Sequence, residues 1–294
     1  MKYTKPALTF VQQADLLLKR GLIADREKLI RRLKRVSYYR LSGYWHKFQN
    51  PDDTFVPGTD FETIWNHYTF DRQLRLLVLD AIERFEVATR TAFINEFGVR
   101  YGAFGYLDNK NLPHMPIDRY EKVIERFREE VAKSNEQFIL HFRKTYGAEH
   151  AVPPIWMGTE LMAFGTLLSF YRGVPSFVKN AMAASLRVDE SVYRTWLRSM
   201  NGIRNICAHH GRFWDRVFDD KPKIPVKDPL WHTPVEIGND RAWGILSILR
   251  YCMRVYAPHS KWHERFDDLL KKYPMIPTAE MGFPDNWRES PIWK

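Results

Sequence analysis

Cysteine is nearly absent from these 294 residues: Cys207 and Cys252 stand far apart, with no C-x-x-C pair. That excludes a disulfide scaffold and a thiolate zinc site. Long apolar runs are missing as well. The longest charge-free stretch near the middle, Leu161–Tyr171, falls well short of the roughly 20 apolar residues a membrane span needs. The opening MKYTKPALTF has no apolar signal core, so a cytoplasmic protein without membrane contact is expected. No Walker-type phosphate loop, G-x-G-x-x-G, H-E-x-x-H or G-x-S-x-G occurs, which removes the familiar routes to nucleotide, zincin and serine-hydrolase chemistry. No cofactor and no metal is expected. Internal repeats and low-complexity tracts are also lacking.

What is present is positive charge in two places. The net charge is +10. Residues 19–40 hold nine Lys/Arg against two acidic residues, and residues 194–216 hold five Arg against one Asp. The rest of the chain is close to neutral. Localised positive fields attract polyanions through phosphate contacts and counterion release, so nucleic acid is the first partner to consider. Arg31, Arg32, Lys34, Arg35 and Arg40 in the first window, and Arg212 and Arg216 in the second, are the candidate RNA contacts. A solvated helix face is the competing reading of the first window.

The apolar period is helical nearly everywhere. Phe10, Ala14, Leu17 and Leu18 predict a helix over 9–20, stopped by Gly21. Asp25 is placed to cap the next, whose apolar positions Leu29, Ile30, Leu33 and Val36 leave the cations outside. The polar segment KFQNPDDTFVPGTD suggests a boundary. The longest periodic run, from about Asp60 to Phe97, predicts one long helix with Glu86 and Arg90 spaced i,i+4. A charged helix follows near 117–133, and Ser134 with Gln137 reads as a capping box opening a short one to Tyr146. Pro153-Pro154 introduces IWMGTELMAFGTLLSFY, read as one buried helix in which Glu160 is the only charge. Asp189 caps a helix carrying Val192, Trp196, Leu197, Met200 and Ile203. Residues 217–240 read as a loop, and a last amphipathic helix covers 242–256 before a shorter helix and an irregular tail. The expectation is all-α, divided into a basic N-terminal helical unit (1–50), a main helical domain (51–258) and a C-terminal helix and tail (259–294).

Chemistry concentrates in NGIRNICAHHGRFWDR, residues 201–216. Arg204, Asn205, His209, His210, Arg212 and Arg216 crowd together beside Trp214. A guanidinium fork holds a phosphate bidentately, and a neighbouring imidazole moves protons near neutrality. Together they suffice to cleave RNA without a metal. Arg-x4-His alone is weak, since chance gives about one such match in a chain of this composition. Arg254 and His259 make a second one, interrupted by Pro258. Context sets Arg204 apart: a following Asn, a doubled His and the end of an amphipathic helix. On an ideal helix Arg204 and His209 lie about 140° apart, whereas Asn205 and His209 share a face. Convergence therefore needs a helix end or distortion, or a second copy of the chain. The competing reading pairs Arg204 with a carboxylate such as Glu160 and leaves His209 and His210 capping a helix C-terminus. His259 and His263 are spaced i,i+4 as metal ligands often are, but no third ligand stands nearby; Cys207, His209 and His210 are too close in sequence to make a tetrahedral site unaided, which leaves a metal there as the minor alternative.

RNICAHHGRFWDR resembles the R-N-x-x-x-H signature of HEPN ribonucleases. Three further blocks, KPALTFVQQADLLLKRGL, RLKRVSYYRLSGYW and YTFDRQLRLLVLDAIERFEVATR, resemble abortive-infection (Abi) proteins of the AbiD/AbiF type, and the likeness covers about residues 5–256. It implies a HEPN-like helical bundle with a metal-independent RNase site shared across a two-fold or pseudo-two-fold interface, and a homodimer is expected. It further implies a role in phage defence or as a toxin held by a small noncoding RNA or protein antitoxin. By motif match the catalytic Arg falls on Arg204, its polar partner on Asn205 and the His on His209, with His210 a second candidate imidazole. Glu86 and Glu160 are both candidates for the helix-borne acid. The expected function is a metal-independent endoribonuclease. The alternatives are a non-catalytic RNA-binding module, and a DNA-binding regulator with the basic helix in a major groove.

Overall fold

Apolar residues at helical spacing build one continuous core, which runs from Ala14 to Ile292. The computed structural model describes residues 2 and 6–294. The first residues of the expected N-terminal unit, 1 and 3–5, lie outside the described residues. The helices are α1 (Phe10–Lys19), α2 (Arg26–Arg35), α3 (Tyr38–Trp45), α4 (Phe61–Phe93), α5 (Val99–Tyr101), α6 (Ile117–Lys133), α7 (Gln137–Tyr146), α8 (Ile155–Leu161), α9 (Phe164–Gly173), α10 (Ser176–Ala184), α11 (Glu190–Ala208), α12 (Ala242–Tyr256) and α13 (Trp262–Lys272). Among the described residues there is no strand, only two isolated bridges, Ile23 with Asp60 and Gln49 with Phe55. The protein is all-α. Among the described residues, no helix is long and apolar enough to cross a membrane.

α4 is the axis. No proline interrupts it, and at about 1.5 Å per residue its 33 residues run roughly 50 Å. Ile64, Leu74, Val78, Ala81, Ile82, Phe85 and Phe93 bury its core side, and α3, α11, α12 and α13 pack around it. The ends of the first helices follow local chemistry. Thr9 closes a capping box with Gln12, Asp25 accepts the Lys28 N–H at 2.6 Å, and Gly21 ends α1 at a φ of 94°. The C-terminal tail is packed rather than loose: Trp262, Phe266, Phe283, Trp287 and Trp293 form an aromatic cluster against Trp243. Trp293 donates to the Ser247 hydroxyl at 2.9 Å.

Two local expectations are corrected, and one helix is added to those expected. The apolar run after Pro154 is two helices, α8 and α9, broken at Met162–Ala163. The break follows from Arg90 on α4, whose guanidinium takes the carbonyls of Thr159 and Met162 in place of helical N–H groups. Ser134 and Gln137 do not form a capping box, because Ser134 Oγ accepts the Glu136 N–H and α7 starts two residues later than that box requires. α10, which the apolar pattern did not single out, begins after Pro175.

Buried on α4, His67 gives the fold a pH dependence. Its Nδ1–H donates to the Thr63 carbonyl at 2.8 Å. Burial pulls its pKa below the ordinary 6.5, against the Thr63 contact, and Lys47 adds to the fall while Glu280 opposes it. The unfolded chain therefore takes up the proton first as pH drops, so this contribution is intact above 6.5 and is lost on acidification. We expect the decline in melting temperature between pH 7 and pH 5 to be shallower in His67→Phe than in wild type; parallel curves would contradict it.

Candidate functional site

α11 ends at the motif. Val192, Trp196, Leu197, Met200 and Ile203 face the core and carry the helix to Ala208 with an intact hydrogen-bond ladder. The end is a Schellman turn: Gly211 N–H reaches the Ile206 carbonyl at 2.7 Å, and His210 N–H reaches that of Cys207 at 3.0 Å. α1 ends in the same way, with Leu22 N–H on the Leu17 carbonyl at 3.1 Å and Gly21 N–H on that of Leu18 at 2.9 Å. The left-handed residue differs. Where α1 has Gly21, α11 has His210, at a φ of 60°. A side chain in that region costs free energy that glycine avoids, and such strain collects at functional positions. His210→Gly should raise stability by up to about 1 kcal/mol in urea unfolding; a loss would show that the imidazole holds the turn together.

Arg204 meets α4. Its Nε lies 3.6 Å from Glu86 Oε2, with 42% of the Arg204 side chain exposed against 12% of Glu86. The same carboxylate pairs with Arg90, so Glu86 is fixed from behind and orients Arg204. Of the two candidate acids, Glu86 is therefore the partner. Glu160 is exposed and makes no ion pair among the described residues. Neither Nη of Arg204 makes a hydrogen bond among the described residues, which leaves the forked edge open. Asn205, His209 and His210 are exposed, and none of their side chains is hydrogen-bonded among the described residues. The expected orientation of His209 by Asn205 is thus absent. The helix does not distort between Arg204 and His209: the His209 N–H bonds the Asn205 carbonyl at 2.9 Å. Within one chain the two side chains keep their helical separation of about 140°. The competing reading is met in part, since Arg204 has a carboxylate partner and His209 is the C-cap residue of α11.

Behind the turn lies a buried polar hub. Asp71, on α4, accepts the Tyr44 hydroxyl at 2.6 Å, the Phe213 N–H at 3.2 Å and the Trp214 N–H at 3.0 Å, and it pairs with Arg75. Burial raises the Asp71 carboxyl, opposed by Arg75, Tyr44 and the two N–H groups. The first helices grip the turn from the other side. Arg40 donates to the His210 carbonyl at 2.7 Å, and Arg212 donates to the Gly43 carbonyl while pairing with Asp215 at 3.0 Å. Composition and spacing did not single out Asp71, Arg72, Arg75 or Tyr44. The available signal was a charged residue inside the apolar stripe of α4, at the i+7 position between Ile64 and Val78.

The candidate RNA contacts divide. Arg31, Lys34, Arg35 and Arg216 are exposed without ion pairs among the described residues. Arg32 stacks on Trp65 with its guanidinium 4.0 Å from the ring centre. Arg40 and Arg212 hold the motif turn. The pKa of the Cys207 thiol is pushed up to about 12 by burial, which disfavours the nucleophilic thiolate. His259 precedes α13 and His263 lies on it. Among the described residues, no three His, Cys, Asp or Glu side chains group as a metal site.

The fold and site define an all-α protein that presents arginine and paired histidines at the end of one helix, braced by an acidic hub on another. Comparison of the sequence agrees: the family described as Abi-like protein matches residues 31–215, and the chain belongs to it. That membership points to abortive-infection defence against phage. No curated protein and no solved structure matches the chain.

Proposed function

We propose that this chain is a phage-defence toxin that cleaves RNA without a metal, acting as a homodimer in which Arg204 of one copy meets His209 of the other. The observation that carries the reading is the free Nη edge of Arg204 on α11, held by Glu86, together with two imidazoles without partners at the exposed end of the same helix. The Nη edge stabilises charge on the scissile phosphate. An imidazole takes the proton of the ribose 2′-OH, the 2′ oxygen attacks the adjacent phosphate, and the bond to the 5′ oxygen breaks as that oxygen is protonated. The products carry a 2′,3′-cyclic phosphate and a 5′-hydroxyl. The intact helix between Arg204 and His209 supports the shared site, because one chain alone keeps them apart.

The basic face of α2 favours a second reading, RNA binding without cleavage. Purified protein incubated with RNA in EDTA separates the two. Cleavage by wild type, absent in Arg204→Ala and His209→Ala while both still bind RNA, supports the ribonuclease. Tight binding with no cleavage supports the binding module.

A further inference from the structure

A cavity of about 400 Å³ opens beside the motif turn, between α3, α4 and the end of α11. It is lined by Arg40, Tyr68, Arg72, Arg75, Leu76, Leu79, Cys207, Ala208 and His210. We propose that it seats one unstacked nucleotide of a single-stranded RNA, phosphate on Arg72 and Arg40 and base against Tyr68 and the two leucines. The inference rests on the RNA reading above but makes a separate claim, about binding rather than cleavage.

Charge, shape and position point the same way. Three guanidinium groups line the cavity and no carboxylate does. Asp71 lies behind Arg75 and answers one of them. Arg40 spends one N–H on the His210 carbonyl. Arg72 is exposed and makes neither an ion pair nor a hydrogen bond among the described residues, so its fork is open to an anion. An anion alone would not need the remaining lining, which is an aromatic ring, two leucines, an alanine and a thiol held neutral by burial. Flat apolar surface beside clustered cations matches a nucleotide, whose base stacks while its phosphate pairs. The volume lies within the usual range of small-ligand pockets. His210 belongs both to this lining and to the motif, so a nucleotide seated here puts the neighbouring phosphate of the strand at the turn.

The test measures binding, not cleavage. Calorimetry would follow uridine 5′-monophosphate, inorganic phosphate and a single-stranded RNA pentamer with non-cleavable 2′-O-methyl riboses on wild type, Arg72→Ala and Arg204→Ala. Arg72 is exposed and unpartnered, so its removal should leave the melting temperature unchanged. The expected result is binding of mononucleotide and pentamer to wild type, weakened at least tenfold by Arg72→Ala and retained by Arg204→Ala. Phosphate binding as tight as the mononucleotide would overturn the base-stacking part. Mononucleotide binding lost in Arg72→Ala with pentamer affinity unchanged would assign the cavity to a free nucleotide and overturn its seating of a strand. No effect of Arg72→Ala on either ligand would overturn the site altogether. Failure of the ribonuclease reading shows up elsewhere, as absent cleavage by a wild type that still binds these ligands.

Discussion

Replacing Arg204 by alanine should lower RNA cleavage by about 10²–10³, the usual effect of removing one preorganised donor that stabilises developing charge. RNA affinity should stay within a few fold, because the exposed cations of α2 and Arg216 remain to supply phosphate contacts. The size of the effect follows from how Arg204 is held. Glu86 takes its Nε side, Arg90 holds Glu86, and Arg90 is tied to the Thr159 and Met162 carbonyls at the break between α8 and α9. That chain of contacts fixes the guanidinium while leaving its fork free. Lysine at 204 keeps the charge but not the bidentate geometry, so Arg204→Lys should recover only a small part of the rate. Mixing Arg204→Ala with His209→Ala protein should restore cleavage that neither shows alone, if the site is shared between copies. Activity of Arg204→Ala equal to wild type would remove the residue from the site.

Asp71→Ala should destabilise the fold by about 3–5 kcal/mol, the cost of leaving a buried charge without its partner. The Arg75 guanidinium is almost wholly buried, with 5% of its side chain exposed, and Asp71 beside it is fully buried. Removing the carboxylate also strands the Tyr44 hydroxyl and the N–H groups of Phe213 and Trp214, each worth about 1–3 kcal/mol if left unsatisfied inside the protein. Against a typical domain stability of about 5–15 kcal/mol, the variant should unfold at far lower urea. Asp71→Leu with Arg75→Met should recover part of the loss by removing the lone charge, but not the part owed to the two N–H groups. If Asp71→Ala unfolds at the wild-type urea concentration, the hub does not hold the turn. Because the hub anchors the residues that follow the motif, a folded Asp71→Asn protein should also cut RNA more slowly.

Much of this architecture is visible in the order of residues, where short-range chemistry decides. Thr9 with Gln12, Asp25 with Lys28, and Gly21 after α1 each act within a few positions, and α6 and α12 follow directly from the apolar period. The motif was legible too, as a cluster of residue types at the end of an amphipathic helix. What failed depended on contacts between distant segments. The break between α8 and α9 exists because Arg90, some 70 positions away in sequence, supplies donors to their carbonyls. Glu160 looked as good a partner for Arg204 as Glu86 did, and only the packing of α11 on α4 separates them. Asp71 reads as a flaw in the stripe of α4 until residues 213 and 214 come back to it with their N–H groups. The left-handed backbone at His210 likewise cannot be read from the dipeptide His-His. A glycine in that place would have announced the turn, as Gly21 does.

The most direct measurement is the chemistry of the cut ends. Wild-type protein should be incubated in EDTA with an RNA of defined sequence and with the same RNA carrying a single 2′-deoxyribose at the mapped cleavage position. Transfer to the 2′ oxygen, driven by Arg204 and His209, predicts a 2′,3′-cyclic phosphate on the upstream fragment and no cleavage at the deoxy position. Cutting of the deoxy substrate at the same position, or upstream ends bearing a free 3′-hydroxyl, would contradict it.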